Sequence, residues 1–129
     1  MKTIWNIAAA GLATLLPGIT DGWAAGLDDY RWQHRPILVF AASEDPRLKQ
    51  QMGRFDAAAE DLADRDNILI VDTEPASALR ARFRPADFTV ILVGKDGGEK
   101  FRRNGLVDPD ELNALIDTMP MRLQEMSRD

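Results

Sequence analysis

The densest group of side chains able to do chemistry is Ser43-Glu44-Asp45-Pro46-Arg47, a polar turn that follows the apolar run Pro36-Ile37-Leu38-Val39-Phe40-Ala41. Serine acts as a nucleophile only when a base within reach takes its proton. The stretch holds no histidine, and the lone histidine of the chain, His34, stands beside Arg35 with no visible partners for a triad or a metal. Ser43 is therefore read as the N-cap of the helix that follows, with Pro46 in the first turn. Arg47 and Arg84, with Arg82 nearby, carry the remaining possibility. A helix N-terminus faced by arginines makes an anion pocket, unless Glu44 and Asp45 pair with the same guanidinium groups.

Other groups fail on spacing. Lys95-Asp96-Gly97-Gly98 lacks the Walker pattern and links two strands instead of opening a helix, so it reads as a hairpin turn. Asp28-Asp29 and Asp108, Asp110 and Glu111 lack the spacing and central glycine of a calcium loop, and read as helix caps and surface charge. No metal site and no cofactor motif is predicted. The chain contains no cysteine, which removes thiol redox chemistry outright.

These residues must be positioned by the elements around them. Pro36 to Ala41 is a continuous apolar run, the pattern of a strand buried on both faces. Leu48, Met52, Phe55, Ala59 and Leu62 then keep one helical face apolar over about five turns, ending at Asp64 to Asn67. Ile68 to Val71 is a second buried strand. Strand, crossover helix and strand make a right-handed βαβ unit with parallel strands. Pro75 to Phe83 reads as a short helix, Arg84 to Asp87 as a turn, and Phe88 to Val93 as a third strand. After the Lys95–Gly98 hairpin, Glu99 to Arg103 alternates charge with Phe101, as an edge strand does. Asp108 caps a last helix with the stripe Leu112, Leu115, Ile116 and Met119. Pro120 to Asp129 reads as a short polar tail, and Leu27, Tyr30 and Trp32 as a lead-in packed on the domain.

The order β-α-β-α-β-β-α is the core order of the thioredoxin fold, an α/β three-layer sandwich around a mixed four-stranded sheet. The third strand then lies beside the first and runs against it. That brings the turn Arg84 to Asp87 next to the turn after strand one and nominates a composite site: Ser43, Glu44, Asp45 and Arg47 on one side, Arg84 and Asp87 on the other.

The front of the 129-residue chain is different. Lys2, the mostly apolar run Ile4 to Leu16, the break Pro17 to Gly22 and the small residues Ala24 and Ala25 have the layout of a signal peptide, so residues 1–25 are expected to be cleaved and 26–129 to form the domain. Asn6, Thr14, Pro17 and Asp21 interrupt the run, and spanning a bilayer takes about 20 apolar residues. The domain is expected outside the cytoplasm, periplasmic or extracellular, with no membrane span after cleavage. A net charge of −5 with both signs interspersed offers no polybasic face for nucleic acid.

Phe40-Ala41-Ala42-Ser43-Glu44-Asp45-Pro46-Arg47, Val93 to Lys100 (Val-Gly-Lys-Asp-Gly-Gly-Glu-Lys) and Ile116 to Arg122 (Ile-Asp-Thr-Met-Pro-Met-Arg), with Tyr30, Arg31 and Trp32, resemble the domain-of-unknown-function family DUF4174. The likeness runs from Leu27 to about Met126. It implies an exported bacterial single-domain protein with a thioredoxin-like fold, similar to domains of animal extracellular matrix proteins that carry sushi modules or act in adhesion. No catalytic residue is established for the family, so none is carried over. The chain departs from working thioredoxins: Ser43-Glu44-Asp45-Pro46 stands where Cys-x-x-Cys belongs, and Asp87-Phe88 replaces the proline before the third strand, with Pro85 two residues early. The expected role is a non-catalytic domain that binds a protein or a small anionic ligand. The alternative is a cysteine-independent enzyme using the Ser43–Arg47 turn. The Phe101 strand offers an edge for strand addition, which Arg102 and Arg103 oppose.

Overall fold

The computed structural model describes residues 7–9 and 26–128. Its strands are β1 (Ile7–Ala9), β2 (Arg35–Phe40), β3 (Asn67–Asp72), β4 (Thr89–Val93) and β5 (Glu99–Arg103). Its helices are α1 (Pro46–Ala57), α2 (Ala59–Asp64), α3 (Ala78–Phe83), α4 (Pro109–Ile116) and α5 (Pro120–Ser127), and a 3-10 turn covers Leu27–Tyr30. The sheet order is β1-β3-β2-β4-β5. β2 pairs parallel with β3 and antiparallel with β4, and β4 pairs antiparallel with β5. The four strands expected from the sequence thus form the mixed sheet, and β1 adds a fifth, parallel to β3 at its edge. Apart from β1, the residues read as an export signal lie outside the described residues.

The period of two in a strand explains why β2 is apolar throughout. Ile37, Val39 and Ala41 face a core shared with Phe55, Leu62, Leu112 and Ile116 of α1, α2 and α4. Leu38 and Phe40 face the other core, with Ile70, Ile91 and Leu79 of α3 and with Leu27. Both faces are covered, which gives the three layers and places β2 at the centre.

Four expectations are corrected. The crossover is two helices instead of one: at Ala58 the backbone N–H donates to Phe55 O at 3.1 Å, an i→i+3 bond that tightens one turn, and the run Ala57-Ala58-Ala59 holds no breaking residue to announce it. Ser43 is not the cap of α1. Asp45 is, accepting from Arg47 N at 2.9 Å, because Pro46 fixes the first helical position and the cap is the residue before it. The polar tail is the helix α5, whose inward side is ionic, so no apolar stripe reveals it. Trp32 does not pack on the domain but is 61% exposed, at a left-handed φ of 72°.

The hairpin between β4 and β5 is as expected. Gly97 has φ 87°, and a Cβ there would meet Arg31 Nε at 2.7 Å, so both conformation and contact call for glycine.

Candidate functional site

Phe40 pairs with Thr89 across the antiparallel β2–β4 ladder, so the chain leaves β2 where it enters β4. The two turns of the predicted composite site therefore meet. Asp45 caps α1 and also holds Arg47: Arg47 Nη2 donates to Asp45 Oδ2 at 2.7 Å and Arg47 Nε to Oδ1 at 3.1 Å. Arg47 Nη2 reaches across to Asp87 Oδ2 at 3.2 Å, and its guanidinium carbon stands 5.0 Å from the centroid of the buried Phe88 ring. Hydrogen bonds from the Arg47 side chain and backbone hold the Asp45 carboxyl below its ordinary value, and the same side-chain bond, then the one Arg47 donates to Asp87, push the pKa of Arg47 up.

The structure brings Asp45, Arg47 and Asp87 into one cluster. Ser43 Oγ donates to Glu44 Oε1 at 3.2 Å on the exposed side of the turn. Arg84 lies apart: it is exposed, caps α3 in a left-handed conformation (φ 50°), and its side chain has no ion pair among the described residues. Arg82 instead reaches Asp28 at 3.5 Å. Arg47, the cation at the helix N-terminus, is already held by two carboxylates, so the arrangement is a self-compensated polar surface and not an anion pocket. Neither described cavity is lined by any of the six predicted residues. No group of metal-ligating side chains is found among the described residues.

Beneath this turn lies a network the sequence reading missed. Asp72, 1% exposed at the end of β3, accepts from Ser77 Oγ at 2.5 Å and from Glu74 N at 2.9 Å. Ser77 also caps α3, accepting from Arg80 N at 3.0 Å. Arg80 Nη2 donates to Ala41 O at 3.0 Å and to Asp72 O at 3.2 Å, tying the ends of β2 and β3 together below Ala42. The signal was present as Ser77 followed by a helical pattern, but helix starts at Pro75 or at Ser77 are equally compatible with it.

A second missed cluster lies at the opposite end of the sheet. Arg35, 1% exposed, makes paired bonds to Glu125 of α5, both 3.1 Å. Lys95 Nζ donates to Glu125 Oε2 at 2.7 Å and to Asp66 Oδ2 at 2.8 Å. Arg122 joins Asp64 at 2.8 Å and Asp117 at 3.1 Å, and Arg65 joins Asp117 at 2.8 Å. Burial pushes the Glu125 carboxyl up, but hydrogen bonds from Arg35 and Lys95 outweigh it and leave it below its ordinary value. Apart from Arg122–Asp117, five residues apart, these pairs join residues distant in sequence, so no spacing rule finds them.

His34 is half-buried against Tyr30, edge to face at 5.8 Å between ring centroids. Its Nδ1 is buried without a hydrogen-bond partner.

Comparison with solved structures places the fold. The chain is similar to thioredoxin h of Nicotiana alata, with 19% identity, TM-score 0.64 and coverage of 92% of this chain and 96% of that one. It is also similar to oxidised thioredoxin O2 of Arabidopsis thaliana, with 14% identity, TM-score 0.59 and coverage of 88% and 93%. Thioredoxin-2 of the malaria parasite aligns at 23% identity and TM-score 0.56 over 67% of this chain and 84% of that one. Identities this low show a thioredoxin-like α/β fold and nothing of activity. No curated protein matches the chain. The family model described as a domain of unknown function, DUF4174, matches residues 26–125.

Proposed function

The chain belongs to the DUF4174 family of domains of unknown function, and on that premise we propose that it is a non-catalytic, exported binding domain that recognises a protein partner through the turn after β2. One observation carries the reading. At the position where a thioredoxin keeps its sulfur, every reactive group that is present is spent on a neighbour: Ser43 on Glu44, and Asp45 on the helix N-terminus and Arg47. With no cysteine in the chain and no histidine beside Ser43, whose hydroxyl meets only the exposed and weakly basic Glu44 carboxylate among the described residues, the turn holds no activated nucleophile. What remains is shape and charge. Glu44 and Asp87 are exposed, and with Asp45 they outnumber Arg47, so the surface is complementary to a partner segment rich in lysine, arginine or amide donors and repels a small anion. The export half of the proposal rests on the layout of residues 1–25.

The test is affinity capture from the native cell envelope with the wild-type domain and with the doubly substituted Glu44→Lys, Asp87→Lys. Neither side chain is buried, so the variant folds. A partner that is captured by the wild type and lost with the variant supports the reading, and one retained by both overturns the placement of the surface. Turnover of a substrate that disappears in Asp45→Ala and Arg47→Ala would sink the non-catalytic reading and favour the cysteine-independent enzyme.

A further inference from the structure

The opposite end of the sheet carries a cavity of about 530 Å³, between the hairpin after β4, the start of β2 and the corner joining α4 to α5. That volume is within the range of small-molecule sites, about 300–1,000 Å³. Leu115, Met119, Pro120 and Met121 line it with apolar surface, beside Arg35, Lys95, Lys100 and Asp96. Each of the three cations is already matched: Arg35 and Lys95 hold Glu125, Lys95 also holds Asp66, and Lys100 holds Asp96. Three positive charges stand against three negative ones, so an occupant meets no free charge of either sign. A carboxylate or an ammonium entering here would give up its water without gaining a counter-ion, which costs affinity. An uncharged, mostly apolar molecule gives up little and gains the burial of its own surface against the lining.

Trp32 gives the second, independent observation. It lines the cavity with 61% of its surface exposed, its backbone N–H donates to Lys95 O at 2.6 Å, and its φ is 72°. A bulky aromatic residue in the left-handed region is strained, and glycine would hold the same backbone without strain. The side chain has no ring or hydrogen-bond partner among the described residues. Strain held without an intramolecular return is a mark of a site used for something outside the fold. The neighbouring side chains say what suits it. An indole face favours an offset-stacked ring, and the thioether sulfurs of Met119 and Met121 favour an aromatic partner over an aliphatic one.

We propose that this cavity binds a small uncharged aromatic molecule, with its ring system against Trp32, Met119 and Met121 and its edge toward Leu115 and Pro120. It is separate from the turn after β2, and its success or failure leaves the partner-binding reading untouched.

Titration calorimetry of the full chain near neutral pH with 2-naphthol, 2-naphthoate and 2-naphthylmethylamine, which share a ring system and differ in charge, tests the proposal. 2-Naphthol is expected to bind, and each ion at least about tenfold more weakly, because its desolvation is not repaid. The saturated counterpart 2-decalol is expected to bind at least about threefold more weakly, having no ring to stack. With methyl-labelled methionine, the Met119 and Met121 resonances are expected to shift on addition of 2-naphthol, while that of Met52, packed on the core away from the cavity, stays in place. Trp32→Gly, which suits the backbone angle, is expected to keep the melting temperature and to weaken 2-naphthol at least about tenfold. Met121→Gln, at a residue outside both core clusters, is expected to weaken it at least about threefold, and decides the matter if Trp32→Gly does not fold. Either ion or 2-decalol binding as tightly as 2-naphthol, no binding of 2-naphthol, unmoved Met119 and Met121 resonances, or wild-type affinity in a folded Trp32→Gly or in Met121→Gln would overturn it.

Discussion

The two ends of the central sheet solve the problem of charge in opposite ways. At the end where β2 runs out, the polar contacts gather at the surface of two turns: Asp45 with Arg47 two residues on, Ser43 with Glu44, and the partly exposed Arg47 with an Asp87 that lies 40 residues on and is 84% exposed. At the end where β2 begins, the pairs are distant in sequence and built on buried cations: Arg35, Lys95 and Arg122 hold Glu125, Asp66 and Asp64, and of these carboxylates only Glu125 is largely buried. Exposed pairs contribute little because water screens them. A buried pair costs desolvation on both sides but is strongly destabilising to break, because the survivor is left uncompensated. The comparison separates roles: the second end fastens the last helix to the sheet, and the first is left with a surface whose chemistry can change without loss of the fold.

The largest effect should come from breaking the largely buried Arg35–Glu125 pair. Glu125→Ala leaves Arg35 fully buried without its carboxylate and strips Lys95 of one of two partners, and it is expected to cost about 3–5 kcal/mol in denaturant unfolding, the range for removing one member of a buried pair. If the cost is under 1 kcal/mol, α5 is not held by this cluster. Acid should act on the same place. The Glu125 and Asp117 carboxyls are held below their ordinary values of 4.5 and 3.8, the first by Arg35 and Lys95 against the push of burial, the second chiefly by Arg65. Groups with depressed pKa bind fewer protons folded than unfolded, so their stabilisation is present in full above those ordinary values and is lost as pH falls through the folded ones. Unfolding free energy should be level above about pH 6 and fall below about pH 4.5, and Glu125→Gln should flatten that fall. An equally steep fall in the variant would assign acid sensitivity to other carboxylates.

The contrast also explains what could be read from the sequence. The five-residue hairpin strand Glu99–Arg103, the cap Asp108 and the buried runs of β2 to β4 follow from rules of period and turn chemistry that act over a few residues, and the structure places them within a residue of expectation. The meeting of Asp45 and Arg47 with Asp87 followed from topology, since antiparallel neighbours share an end. The sequence assigns the N-cap to Ser43 where the structure has Asp45, because a serine and an aspartate two residues apart both have cap chemistry, and only the geometry of Pro46 decides between them. The Arg35–Glu125 pair spans 90 residues and leaves no periodic trace, so α5 looked like a polar tail.

An intermediate effect is expected in the layer under the first end. Ser77→Ala removes a helix cap and one of the bonds that satisfy the buried Asp72, and should cost about 1–2 kcal/mol. The variant separates support from surface, because its side chain is buried and does not touch Asp45, Arg47 or Asp87. If partner capture survives at temperatures where the variant is folded, the network only carries the turn. If capture is lost while the fold persists, the tie from Arg80 to Ala41 positions the turn as well.

The smallest effect should be Asp87→Ala. Its carboxylate meets Arg47 at 3.2 Å, but Asp87 is 84% exposed and Arg47 keeps Asp45, so neither group is left buried and unpaired. The melting temperature should not change measurably, whereas the capture of a basic partner should weaken. A clear drop in melting temperature would mean that the Asp87 carboxylate, which accepts from Arg47 and from Phe88 N at 3.0 Å, braces the two turns across the end of the sheet. The division between a structural end and a recognition end would then fail where it is most exposed to test.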